Sequence, residues 1–410
     1  MTFGKVGIST TDFELVSTTI KDFKADLGDP DIIIVQGHLV TGLPILVQID
    51  ALLVVDLYDP LHIESLEEGK YNSLPAREQY LERILTELEL QLRVGDYFIC
   101  ASERQRRLWL GHLAALGRIN PQTYDDDPTL RNLIDLVPFG LAPKPVQTHH
   151  GAREMFQLSP TDPLIVWGGG IYNWFDPVTV IRAVHLVKEK IPNIRLIFMG
   201  AKHPNPSVLK MQAEMQARNE VAKLKLEENV LFNEDWVEYA DRHNFLMDAD
   251  IAVSAHFSGI ETEFSFRTRM LDYLWAGLPI VCSDGDFFAD LVQERELGRV
   301  VPVQDAETMA AAFYELLTDD ALKARVKNNI AQVAEEFRWD NTLQAILDYC
   351  RAPRPARDRE TARKAVLAAM PRRSIFTLAR IGIYGIREEG FVKTALRLYS
   401  WVQKNWAQLH

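Results

Sequence analysis

From residue 164 onward the chain repeats one unit: a short unbroken apolar run, then a stretch of helical periodicity. The runs are 164–167 (LIVW), 194–198 (IRLIF), 230–232, 250–254 (DIAVS), 279–282 (PIVC) and 299–302. Apolarity that is continuous rather than alternating means strands buried on both faces. Parallel sheets covered by helices on each side supply that environment. Six strands with five crossovers make a complete doubly wound α/β sheet. The linkers agree. Asp176-Pro177 is an N-cap followed by proline in the first turn, and Val180, Val184 and Val187 then fall on one helical face.

A second, shorter series lies upstream. Residues 31–36 (DIIIVQ), 51–55 (ALLVV) and 97–101 (YFICA) read as strands, and Ser102 with Gln105 has capping-box spacing for a helix directly after the third. Residues 120–163 are rich in proline, acids and histidine and read as a domain crossing, interrupted by the apolar run 133–137. The expected division is 1–145, 146–350 and 351–410, the last a basic, helical tail. In it Val392, Ala395, Tyr399, Val402, Trp406 and Leu409 form one apolar stripe.

Charge sharpens this division. The chain of 410 residues carries a net −12, but residues 351–410 hold 13 Lys and Arg against 4 Asp and Glu. The tail is therefore +9 and the rest −21. An acidic body argues against nucleic acid as the main ligand, while the tail keeps an anionic partner open. No apolar run approaches the roughly 18 residues that span a bilayer, and no secretion signal is read. Three widely spaced cysteines (Cys100, Cys282, Cys350) make neither a disulfide framework nor a zinc cluster, so a cytoplasmic location is expected.

Ligands of open parallel sheets sit beyond the carboxyl ends of the strands, so candidate residues should follow strands. Gly168-Gly169-Gly170 allows close backbone approach to a phosphate or sugar, a tight turn being the competing reading. Lys202, in the loop after 194–198, can reach an anion or simply be solvated. Asp235-Trp236-Val237 places an aromatic where it can flank a planar base or pack in the core. The richest segment is 256–284, HFSGIETEFSFRTRMLDYLWAGLPIVCSD. It sets Glu261, Glu263, Arg267 and Arg269 at a helix start, where amides, dipole and guanidinium groups together suit a diphosphate. Asp272, one to two turns on, can accept a pair of ribose hydroxyls. An ion-paired surface loop is the competing reading.

At this segment the sequence resembles the group 1 (family four) glycosyltransferases of the GT-B fold, over roughly residues 30–350. Ala276-Gly277-Leu278-Pro279-Ile280-Val281 resembles the family's Ala-x-Gly-x-Pro-Val stretch, and Asp272 stands where its second acid is expected. Glu263 takes the place of the first acid with a one-residue offset, Phe264 falling at the strict position. Leu136-Val137-Pro138-Phe139-Gly140 resembles the turn that enters the second domain. The arginine and lysine that usually follow the glycine loop are replaced by Ile171 to Phe175 (IYNWF). Arg267 and Arg269, with Lys202, are expected to compensate. Against the family pattern the first domain is shortened.

The resemblance implies two Rossmann-like domains facing across a cleft, a nucleotide-diphosphate sugar as donor, and a sugar or lipid-linked acceptor. It also implies retention without a metal or other cofactor, in polysaccharide or glycoconjugate synthesis. Asp56 (by position) and His62 (by chemistry) match the polar residue that faces the donor sugar, and Glu263 would hold sugar hydroxyls. The diphosphate would meet Gly169, Gly170 and the loop Gly259, Ile260, Phe266, Arg267 and Arg269. Asp284-Gly285-Asp286 looks superficially like a metal motif, which such enzymes generally do not use. Two alternatives stay open: a partner-dependent nucleotide-sugar-binding subunit without turnover, and a nucleotide-sugar epimerase. The stripe in 372–410 suits peripheral contact with the inner face of a membrane, or packing on protein.

Overall fold

A computed structural model describes residues 1, 10–37, 39–40, 42–200, 211–235 and 237–369. Lys202, Trp236 and the 372–410 stripe lie outside the described residues.

Two parallel sheets form the body, which runs to Arg359. The first contains β1 (Ile32–Gln36), β2 (Leu52–Asp56), β3 (Tyr97–Cys100) and β4 (Ile134–Leu136), in that spatial order. The second contains β5 (Leu164–Trp167), β6 (Arg195–Phe198), β7 (Val230–Phe232), β8 (Ile251–Ser254), β9 (Ile280–Ser283) and β10 (Gly298–Val301). Its order, β10-β9-β8-β5-β6-β7, reverses direction between β5 and β8, which makes the switch point of a doubly wound sheet.

Burial explains the strand pattern. Every residue of β3, β5, β8 and β9 is buried, as expected for strands covered on both faces. Edge strand β1 alternates instead, with Ile33 and Val35 inside and Ile34 54% exposed. The 120–163 stretch is more than a crossing, since its apolar run supplies β4, which pairs with β3 from Phe98–Ile134 to Cys100–Leu136.

The Ser102 side chain caps the helix Glu103–Ala115 by accepting from Gln105 N–H. The expected reciprocal bond is displaced by one residue: Gln105 Oε1 accepts from Ala101 N–H. Asp176 caps the helix Pro177–Lys188 through Thr179 N–H, and Val180, Val184 and Val187 are all buried.

The chain crosses back after the second sheet. Leu141 N–H donates to Phe337 O at 2.7 Å, and Trp339 lies so close to Gly140 that a Cβ there would sit 2.4 Å from the indole. The helix Gln344–Arg351 then returns to the first sheet, where Tyr349 stacks on Tyr97 at 4.3 Å, nearly parallel. Buried Asp358 takes two bonds from Arg118, whose other donors go to the carbonyls of Leu92, Arg93 and Gly95. All five donors of that buried guanidinium are thereby used. Residues Arg359–Ala369 are helical.

Candidate functional site

Loops from the carboxyl ends of both sheets enclose a cavity of about 390 Å³. The second sheet supplies Gly169, Gly170, Tyr172, Trp174 and Phe175 after β5, Met199 and Gly200 after β6, and Val237, Tyr239 and Arg242 after β7. After β8 come Glu261 and Ser265 through Arg269, with Asp272. The first sheet supplies Tyr58, Asp59, Pro60 and Glu64 after β2.

The glycine loop is fixed from beneath. Tyr273, buried in the helix Thr268–Ala276, accepts from Gly168 N–H at 2.9 Å and donates to Val253 O at 2.9 Å, tying β5 to β8. Gly169 has φ +74°, a left-handed conformation that favours glycine. Gly200 packs on it so closely that a Cβ there would be 3.3 Å from the Gly169 carbonyl carbon.

Arg269 is buried with its guanidinium 3.9 Å from the Phe175 ring centre and 5.0 Å from that of Trp167. One terminal nitrogen donates to Gly170 O at 2.8 Å, and Nη1 is buried without a hydrogen-bond partner. Burial, with the neighbouring Arg267 charge, lowers its pKa to about 10. A cation in this position is stabilised by an incoming anion. The helix Thr268–Ala276 also opens at the cavity wall, with no side chain capping its N-terminus.

Arg267, the other expected diphosphate ligand, is committed to protein. It pairs with Glu261 at 3.0 Å and Asp286 at 3.2 Å, all three side chains being nearly inaccessible. Burial raises the Asp286 carboxyl, and the Arg267 cation offsets only part of that push. Asp272 lines the cavity but pairs with Arg242 at 3.0 Å, and Arg242 lies over Tyr239 at 3.6 Å and Trp275 at 4.5 Å.

Glu263 is not among the cavity-lining residues. Its side chain, 52% exposed, pairs with Arg104 at 3.2 Å. Glu261 occupies the cavity wall instead. The reason is local: residues 260–264 form a short helix, and positions two apart on a helix face opposite ways. Gly259 and Ile260, exposed at its start, do not line the cavity either, whereas Phe266 does. Asp235 is exposed and outside the lining, while Val237 is part of it.

Asp56 and His62 face a second cavity, of about 230 Å³, between β1, β2 and the helix Leu74–Val94, rather than the first. Asp56 accepts from Tyr58 N–H, and burial raises its carboxyl to about 6. His62 sits against Trp109 and His112, and burial with the His112 charge lowers it to about 4, which keeps it neutral. Asp59 belongs to both cavities. It is exposed, yet desolvation by the surrounding protein, with the Asp56 charge, raises it to about 6.

Sequence reasoning did not assign Tyr58, Asp59 and Glu64 to the site, nor the stacked pair Tyr172 and Trp174 (4.9 Å, 11°). Tyr58 OH donates to Phe266 O at 2.7 Å, and Gln105 Nε2 bridges Tyr58 O and Phe264 O, so the 257–267 loop is held by the first lobe. Among the described residues no group of three or more His, Cys, Asp or Glu is placed to hold a metal ion.

Two facing parallel-sheet lobes with a cleft at their strand ends define the GT-B fold, and solved structures bear this out. The chain is similar to sucrose-phosphate synthase from Thermosynechococcus elongatus (TM-score 0.59, 18% identity, covering 81% of this chain and 76% of that one). It is also similar to a trehalose-6-phosphate structure from E. coli bound with UDP-2-fluoro glucose (TM-score 0.60, 14% identity, 82% and 76%). Residues 162–319, within the second lobe, match the family described as Glycosyl transferases group 1. Curated relatives match over shorter stretches. Phosphatidyl-myo-inositol mannosyltransferase of Mycolicibacterium smegmatis is 31% identical over 103 residues, 25% of this chain and 26% of that protein. D-inositol 3-phosphate glycosyltransferase of Jonesia denitrificans is 23% identical over 208 residues, 50% and 46%. The chain thus aligns with less than half the length of each. No helix among the described residues is long and apolar enough to cross a membrane.

Proposed function

We propose that this chain transfers a sugar from a nucleoside-diphosphate donor to an acceptor hydroxyl, with the donor lying along the carboxyl ends of the second sheet. The observation that carries this reading is Arg269: a buried cation with an unused donor, beside Gly169-Gly170 and an uncapped helix N-terminus. Departure of the diphosphate builds negative charge there. Fixed donors that strengthen as that charge grows lower the barrier more than they strengthen substrate binding. In this reading Asp272, with Arg242 beside it, takes the ribose, and Glu261 the sugar hydroxyls. Retention of configuration without a metal, and a role in polysaccharide or glycoconjugate synthesis, rest on the resemblance to group 1 enzymes. We place the enzyme in the cytoplasm, its 372–410 segment touching the inner face of a membrane, on sequence pattern alone.

The test is thermal denaturation of the full chain with UDP, GDP and their hexose conjugates. One of these should raise Tm by mass action, roughly 2.7 kcal/mol at a hundredfold excess over Kd. Arg269→Ala, compared with its own ligand-free Tm, should weaken that nucleotide at least tenfold. An unchanged ligand shift in Arg269→Ala, or no shift with any nucleotide, would sink the reading. Binding with neither transfer nor donor hydrolysis would point to a binding subunit, and product without acceptor to an epimerase.

A further inference from the structure

The two cavities meet at Asp59, and the charges around them are divided by lobe. On the first-lobe side the ionisable groups lining them are Asp56, Asp59, Glu64 and His62, with the Tyr58 phenol. Among the described residues no Lys or Arg from that lobe lines either cavity. The cations come from the second lobe, as Arg242, Arg267 and Arg269. Arg242 is paired with Asp272, and Arg267 with Glu261 and Asp286. Arg104 of the first lobe is held by Asp290, Glu263 and the Gly285 carbonyl. Arg267 Nε and Arg269 Nη1 are both buried without a hydrogen-bond partner, but Arg267 Nε lies 3.2 Å from the Asp286 carboxylate, whereas Arg269 belongs to the glycine-loop end of the cavity.

With the donor lying along the second sheet, as proposed above, the open side of the cleft faces Asp59 and Glu64 of the first lobe. Carboxylates there can accept bonds from hydroxyls and repel any phosphate or carboxylate within a few ångströms. Gln36 and Gln91, in the wall of the smaller cavity, offer further neutral partners for hydroxyls. We infer that the acceptor enters this cleft as an uncharged sugar or polyol, bringing no phosphate into either cavity. This rests on the glycosyltransferase reading and narrows its acceptor class. It also separates this chain from the relative named for D-inositol 3-phosphate.

The experiment measures binding of matched pairs to the full chain by ligand-observed NMR, with and without the stabilising nucleotide. The pairs are D-mannose with D-mannose 6-phosphate, and myo-inositol with myo-inositol 1-phosphate. The neutral member of at least one pair should bind ten times more tightly than its phosphate. Asp59→Asn combined with Glu64→Gln should shrink that ratio to threefold or less, and Asp59→Asn alone, at an exposed position, should shrink it in part. Equal or tighter binding of the phosphates, an unchanged ratio in the variants, or no binding by any of the four compounds would overturn the inference. The nucleotide thermal shift reports on the donor site separately. A normal shift without the acceptor preference removes this inference alone, and a missing shift removes the reading beneath it.

Discussion

Placing a carboxylate among other carboxylates costs free energy that protonation relieves, and Glu64 is so placed. Burial comes first, then the charges of Asp59, Glu261 and Glu68, and together they raise its pKa to about 7 against the partial relief from Arg267. In the unfolded chain the same group titrates near 4.5. Between those values the folded state holds the extra proton, so this group's contribution to stability declines as pH rises through the window. Glu64→Gln removes the ionisation. At pH 8 the variant should be more stable than wild type by about 1–2 kcal/mol, a discounted share of the full shift. At pH 5, where Glu64 is protonated, the two should converge. Differential scanning calorimetry at both pH values reads this; a gap that persists or widens at pH 5 would show that Glu64 is not a suppressed carboxylate. His62 works in the opposite sense, since its folded pKa is depressed, which is why the comparison is between variants and not along one pH curve.

The short helix Ile260–Phe264 shows what could be read from sequence and what could not. Strands were legible because runs such as LIVW and DIAVS are apolar without a break, which burial on both faces demands. The strand Ile134–Leu136 was masked by its length and by Asp135 at its centre. The segment 256–284 was legible as a site because its acids and arginines follow a strand. Its spacing could not say that residues 260–264 coil, and that coil turns Glu261 in and Glu263 out. Nor could spacing show that Tyr58, distant in sequence, reaches across to the Phe266 carbonyl. That bond predicts a loop response. Tyr58→Phe keeps the ring packing on Phe139 and Phe266 but leaves the carbonyl without this donor, a loss of about 0.5–1.5 kcal/mol. Amides of 260–267 should then exchange with deuterium roughly three- to tenfold faster, with little change in the strands. Unchanged exchange in that segment would mean the loop is held by its other anchors, Gln105 and Arg104.

At the scale of the whole molecule, charge is the least even property. A body of −21 precedes a tail of +9, and the tail's Lys393, Arg397 and Lys404 lie off the apolar stripe that runs from Val392 to Leu409. A helix of that pattern lying on an anionic surface sets its apolar side into the acyl boundary and its cations at the headgroups, each worth about 1 kcal/mol near the surface. The acidic body would be repelled by the same surface, so binding should depend on the tail and fall with salt. In sedimentation with vesicles, the full chain should pellet with phosphatidylglycerol-containing membranes at low ionic strength and be released by 0.5 M salt, the screening length then falling to about 4 Å. It should stay in solution with phosphatidylcholine alone. Replacing Lys393, Arg397 and Lys404 by glutamine should weaken the anionic-vesicle affinity more than tenfold, since about 3 kcal/mol is removed. Equal pelleting with both lipids would assign the stripe to protein packing, and so would an affinity that ignores the three substitutions.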